Sequence, residues 1–448
     1  MCEHAEPLPE NLTTRRAFLR STVLGGALSW TVPTFIASTF DTLHAAAAAG
    51  GPVATGRDAP ILVLMQLAGG NDGLNTVVPY ANDDYHKARP NLRLKRDRLL
   101  PLNDELALPN YLKDFKALYD DGQLSIINGV GYPNPNRSHF RSTEIWHTAS
   151  DAKRYEAHGW IGRYFDHACE GADPAVGVAL SKQAPQAFTS AAPKGISLSH
   201  PEKFGFHPTG NKDQRAQQTM AYERLSHDDD HSGGTVMEVG GQPADPNQDP
   251  LDFLERTAMD AQMTSDQIKK IARTTKNEVP YPRNQLANQL ALVSQLISGG
   301  MPTRIYYVSQ GGYDTHHNQQ NNHQRNVSQL GESVRAFLAD LKAKGLDRQV
   351  MVMTFSEFGR RVKENGTRGT DHGAAAPLFL FGSRLTPGLL GRYPSLAKPD
   401  LDKGDLKYST DFRSVYATVL QNWMGLAPAQ TRTILKGSFP VLPLGVRA

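Results

Sequence analysis

Short, unbroken apolar runs rich in β-branched residues punctuate the chain at Ile61–Leu67, Leu124–Val130, Arg304–Val308, Gln349–Phe355 and Pro377–Phe381. Continuous rather than alternating apolar runs of this length are the pattern of strands covered on both faces. Between them the apolar spacing changes to three and four. Val327, Leu330, Val334, Phe337, Leu338 and Leu341 line one helical face, with Gly345 placed to end it. Leu286, Leu290, Leu292, Val293 and Ile297 mark a second helix closed by Gly299-Gly300. Asp411 is placed to cap a third, which buries Val415, Val419, Leu420 and Trp423 before Gly425. Strands alternating with helices predict an α/β fold, a three-layer α/β/α sandwich around a largely parallel sheet.

Two stretches stand apart from this pattern. Residues 1–49 carry Arg15-Arg16 ahead of Phe18-Leu19, a mildly apolar middle over Ser21–Phe40 and a small-residue end at Ala45–Ala49. A charged start, apolar middle and small-residue end describe an export signal, and the paired arginines indicate the twin-arginine route, with its translocase as partner and the periplasm as destination. Gly25, Gly26 and Pro33 interrupt the middle, so it makes a poor membrane span. No later run is long enough to cross a membrane, so no stable span is expected once the signal is removed. From about Lys203 to Arg283 the chain turns polar and Pro-rich, as an inserted lobe with a helix at Leu251–Arg273. Within it His227, Asp228, Asp229, Asp230 and His231 read as a solvated acidic loop sooner than as an ion site. The rest, 50–448, reads as one domain.

Composition narrows the picture only a little. Lys+Arg 48 against Asp+Glu 45 leaves a net charge of +3, too balanced for a protein built to neutralise nucleic acid. Two cysteines, Cys2 and Cys169, make no disulfide framework.

The candidate chemistry is positional. Leu67 is followed by Ala68-Gly69-Gly70-Asn71-Asp72-Gly73, Val130 by Gly131–Phe140, Val308 by Gln310–Asn318, and Phe355 by Ser356-Glu357-Phe358-Gly359-Arg360-Arg361. A fifth cluster, Gly369-Thr370-Asp371-His372-Gly373, lies just ahead of the Pro377–Phe381 run. In an open α/β sheet, ligands bind beyond the carboxyl ends of the strands, where four of the five clusters fall. Asp72, Asp314, His316, Asp371 and His372 supply the oxygen and nitrogen donors that suit zinc, manganese or iron. Each taken alone is also an ordinary cap, turn or buried residue; it is their shared position that points to a metal or polyanion site.

Ser138 precedes a helix start at Phe140–Trp146, with Arg137 and Arg141 beside it. A helix N-terminus welcomes an anion, so Ser138 reads as a nucleophile or as a plain helix cap. No G-x-S-x-G elbow, P-loop or G-x-G-x-x-G follows a strand, which sets aside esterase and nucleotide-cradle readings.

Taken in order, these segments resemble the alkaline phosphatase and sulfatase superfamily, and more closely a large family of exported twin-arginine bacterial proteins of unassigned function grouped with it. The matching stretches are Leu67–Asn75, Gly131–Trp146, Gly312–His316, Ser356–Arg360, Thr370–Gly373 and Asp411–Tyr416. The resemblance implies a mixed central sheet and two divalent ions (zinc, manganese or calcium) at the strand ends. It implies that Asp72, Asp371 and His372 ligate one ion and Asp314 and His316 the other, with Ser138 as nucleophile. The sequence departs from that pattern in two places. Asn318 stands where a histidine four after Asp314 is usual, and no histidine follows His372, so either Glu357, His323 or His139 takes the late histidine's place or one metal site is weak or empty. Ser138-His139-Phe140-Arg141 lacks the C/S-x-P-x-R frame of formylglycine sulfatases. The expected function is an exported metal-dependent hydrolase of an anionic small-molecule or polymer ester, phosphate ahead of sulfate, with Arg137 or His139 positioning the substrate. The alternative is a non-catalytic exported protein of the same fold that binds an envelope polymer or a protein partner.

Overall fold

Burial on both faces is what makes the strands legible, and the computed structural model shows how it arises. It describes residues 59–169, 172–191, 195–199, 201, 211–217 and 264–444. The expected export signal, the His227–His231 stretch and most of the expected lobe at 203–283 lie outside the described residues. The strands are β1 (Ile61–Leu67), β2 (Leu99–Pro101), β3 (Ala107–Pro109), β4 (Leu124–Gly131), β5 (Gly177–Ala179) and β6 (Ile196–Ser197). They continue with β7 (Ile305–Gln310), β8 (Val350–Phe355), β9 (Ala376–Phe381), β10 (Gly388–Leu390) and β11 (Thr410–Asp411). The helices used below are α1 (Asp83–Ala88), α2 (Lys113–Asp120), α3 (His139–Thr148) and α4 (Trp160–Ala168). The later ones are α5 (Gln285–Ser298), α6 (Gln319–Ala343), α7 (Phe412–Thr418) and α8 (Pro428–Leu435).

Nine strands form one sheet in the order β10-β4-β9-β8-β1-β7-β5-β6, with β11 added beside β4, while β2 and β3 pair separately. Every neighbour in the large sheet is parallel except β9, which runs against both β4 and β8. The sheet is therefore mixed and mostly parallel, as expected.

Alternate side chains of each strand feed the two cores. Ile61, Val63, Met65 and Leu67 of β1 pack with α2, α5 and α6, whereas Leu62 and Leu64 pack with α3, α4, α7 and α8. Both faces are thus covered, which is why the strand sequences do not alternate. The apolar stripe Val327–Leu341 of α6 lies in the first of these cores, and Gly345, at φ +69°, ends the helix. Asp411 caps α7, its side chain accepting from the Arg413 amide. Residues 264–274 are helical, and Ile268 and Ile271 join the first core, so this end of the lobe packs onto the sandwich. No helix among the described residues is long and apolar enough to cross a membrane.

Candidate metal centre at the strand ends

The reversed direction of β9 decides what meets at the rim. Chains leaving β1, β4, β7 and β8 and the chain entering β9 all lie at the same edge of the sheet, so the fifth polar cluster arrives with the other four. The loops after β1 and β7 touch backbone to backbone: a Cβ on Gly69, at φ +120°, would stand 2.4 Å from the Asp314 nitrogen. Arg360, 1% exposed, ties them together. Its guanidinium donates to the carbonyls of Gly70 (2.8 Å), Thr370 (2.8 Å), Tyr313 (2.9 Å) and Gly69, and to Asp314 Oδ1 at 2.8 Å.

On this frame three imidazoles converge. One ligand atom from each of His139, Asp314 and His372 falls within 4.8 Å of the other two. Asp314 Oδ1 lies 3.1 Å from the Nε2 atoms of both His316 and His372, and Asp314 Oδ2 lies 3.4 Å from His139 Nε2. The two Nε2 atoms of His316 and His372 are 2.9 Å apart. The opposite ring nitrogens are all held from outside. His139 Nδ1 meets Glu357 Oε1 at 2.8 Å, His372 Nδ1 meets the Arg137 carbonyl at 2.8 Å, and His316 Nδ1 meets Asp371 Oδ1 at 3.2 Å. Carboxylate and carbonyl oxygens only accept, so each ring donates its Nδ1 proton outward. Each Nε2 is left as a lone pair facing the others. Such outer acceptors are the usual support of metal-binding histidines, and lone pairs this close stay together when a cation lies between them.

Electrostatics agree. Burial alone would raise the Asp314 carboxyl, but the hydrogen bond and the charge of Arg360 outweigh it and hold the carboxyl well below its ordinary value. Asp371 is lowered chiefly by its hydrogen bond from Asn365, against a smaller opposing effect of burial. Glu357 Oε1 also accepts the Gly69 amide at 2.8 Å, while its Oε2 is buried with no hydrogen-bond partner, a negative charge that a cation behind His139 would answer. Three imidazole nitrogens and a carboxylate are a donor set that fits zinc, with manganese or iron also served.

The other sequence candidates are placed as follows. Asp72 is fully buried, and both its oxygens are engaged: Arg89 donates to Oδ2 at 2.6 Å and Oδ1 at 2.9 Å, and Gln319 donates to Oδ2. Desolvation pushes Asp72 up, but the Arg89 charge overrides it and the carboxyl is held below its ordinary value. Glu357 stands behind His139, Asp371 behind His316. His323 is buried against Asn71 and Thr76, with burial holding its pKa down near 4. Ser138 is exposed at the start of α3, its amide donating to Asn136 Oδ1 at 2.8 Å, and its side chain caps nothing. Arg137 offers its carbonyl to His372 and its guanidinium to buried Asp405. Of the three substitutes for a late histidine, His139 is the one that joins the cluster. Arg89 has no signal in the sequence, since an arginine just past a short helix looks solvated.

Fold and site together define an α/β/α protein with a His/Asp cluster at the carboxyl ends of a mostly parallel sheet. The chain belongs to the family described as "Protein of unknown function (DUF1501)", whose model matches residues 59–436. It matches no curated protein. Similar solved structures include the lipoteichoic acid synthase LtaP from Listeria monocytogenes, at 8% identity and TM-score 0.38, covering 90% of this chain and 82% of that one. Another is the C-terminal periplasmic domain of EptC from Escherichia coli, at 10% identity and TM-score 0.33, covering 85% and 87%. A third, from Vibrio parahaemolyticus, is a protein in the alkaline phosphatase superfamily, at 10% identity and TM-score 0.37, covering 86% and 71%.

Proposed function

We propose that this protein is an exported metal-dependent hydrolase of an anionic ester, phosphate ahead of sulfate, working in the periplasm after passage through the twin-arginine translocase. One observation carries the reading: ligand atoms of His139, Asp314 and His372 lie within 4.8 Å of one another, His316 Nε2 stands 3.1 Å from Asp314 Oδ1 and 2.9 Å from His372 Nε2, and every Nδ1 is anchored outward. His139, Asp314, His316 and His372 would hold the cation, and Glu357 and Asp371 would keep the rings turned. A divalent ion there supplies Lewis acidity toward an ester oxygen and stabilises charge developing on it.

The chain's own residues do the rest. Ser138 lies in the chain between two residues fixed on the cluster, Arg137 through its carbonyl and His139 through its ring. At the N-terminus of α3 the helix dipole favours an anionic group beside that hydroxyl. Ser138 Oγ is the candidate nucleophile, forming the O–P bond as the alcohol leaves; water then releases phosphate and restores the serine. Arg137 is left to position the anion, His139 being spent on the cation. The substrate is an anionic small molecule or polymer ester.

Metal analysis and turnover of aryl phosphates and aryl sulfates by the purified protein test the reading. A tightly held divalent ion together with phosphatase activity lost in Ser138→Ala is the expected result. Bound metal with no turnover of either ester would favour the non-catalytic binding protein instead, and no bound metal would remove the hydrolase reading altogether.

A further inference from the structure

We infer that the centre takes a single divalent ion, and that the Arg89 guanidinium permanently supplies the charge a second ion would bring to Asp72. The inference rests on the metal reading above and departs from the two ions that the motif order implies. It follows from counting which donors remain free. His139, His316 and His372 each spend Nδ1 outward and keep Nε2, and Asp314 contributes the carboxylate facing them. Those four groups suit one ion in a site with N and O donors. Asp371 meets His316 on the ring nitrogen turned away from Asp314, and so orients that ring from outside.

A second ion would need Asp72, which is already spent. Its oxygens are bracketed by Arg89 Nη1 and Nη2 at 2.6 and 2.9 Å, and Gln319 adds a third donor. Arg89 is equally committed, with its other bonds running to Asn75 Oδ1 (3.0 Å) and the carbonyls of Val362 (2.9 Å) and Arg361 (2.9 Å). Both side chains are 0% exposed. An ion displacing Arg89 would strand a buried guanidinium among carbonyls, and an unpaired buried charge is strongly unfavourable.

Titration of metal-free full-length protein with Co(II), followed by visible absorption and by native mass spectrometry, reads the count directly. Saturation at one equivalent and a mass increase of one ion per chain are expected. Two equivalents would overturn this inference and leave the metal centre standing, whereas none would overturn both. Asp72→Asn alone leaves Arg89 unpaired and endangers folding, so the second arm is the double variant Asp72→Asn/Arg89→Gln, which removes both charges. It is expected to keep one equivalent; a folded double variant that binds no ion would make Asp72 a ligand and overturn the inference.

Discussion

Each imidazole of the cluster has its proton placed by an oxygen that can only accept, and that makes the outer partners testable one residue at a time. Glu357→Gln keeps the shape beside His139 but loses the charge that orients and strengthens it. Metal affinity is expected to fall about 10–100-fold, read by competition with a chelator; an unchanged affinity would mean that His139 is not a ligand. The Asp72–Arg89 pair makes a different prediction. Arg89→Met leaves a buried carboxylate facing no cation and is expected to cost about 3–5 kcal/mol in urea unfolding. The double variant Arg89→Met/Asp72→Leu is expected to recover much of that loss, because a buried pair replaced as a unit can be close to neutral. At this scale the sequence was informative about donor types and silent about partners. Asp314, His316, Asp371 and His372 were readable because they follow or precede strands. Asp72 had the same credentials, and only the folded chain shows that Arg89, 17 residues on, has claimed it.

At the scale of elements, the long strands were legible to within two residues because burial on both faces leaves an unbroken apolar run. β5, β6, β10 and β11 were not, since two or three residues carry no period. The direction of β9 was equally invisible, because an apolar run has no polarity, yet it decides that the Asp371–His372 loop joins the site. Two predictions belong here. Gly69→Ala places a Cβ against the Asp314 backbone at a positive φ. It is expected to destabilise by more than about 1 kcal/mol and to weaken metal binding as the two loops part, measured by unfolding and chelator competition. The last turn of α3 carries His147, buried against the Tyr307 hydroxyl at 3.0 Å, and burial lowers its pKa to about 4. The unfolded imidazole takes a proton first, near 6.5, so its contribution is constant above that pH. Below it, stability is lost as pH falls from about 6.5 to 4, at up to about 1.4 kcal/mol per pH unit for this group. Urea unfolding across that range should show a shallower acid limb in His147→Gln; an identical limb would exclude His147 as its source.

For the whole molecule, an ion bound to the folded state and not to the unfolded chain raises stability by mass action. At a free concentration one hundred times Kd the gain is about 2.7 kcal/mol. Thermal unfolding should therefore shift upward with added metal in the native protein and stay put in Asp314→Ala; a shift in both would place the ion elsewhere.

The cluster also joins distant parts of the chain. His139 reaches Glu357 across 218 positions and His372 reaches Arg137 across 235. Cys169 is buried and forms no disulfide, so no such bond spans that interval among the described residues. An ion held at once by α3, the β7 loop and the approach to β9 would be a removable cross-link, closing a loop of more than two hundred residues. Chelation would cut that link without touching a covalent bond, so its mark would be faster unfolding and earlier protease cleavage.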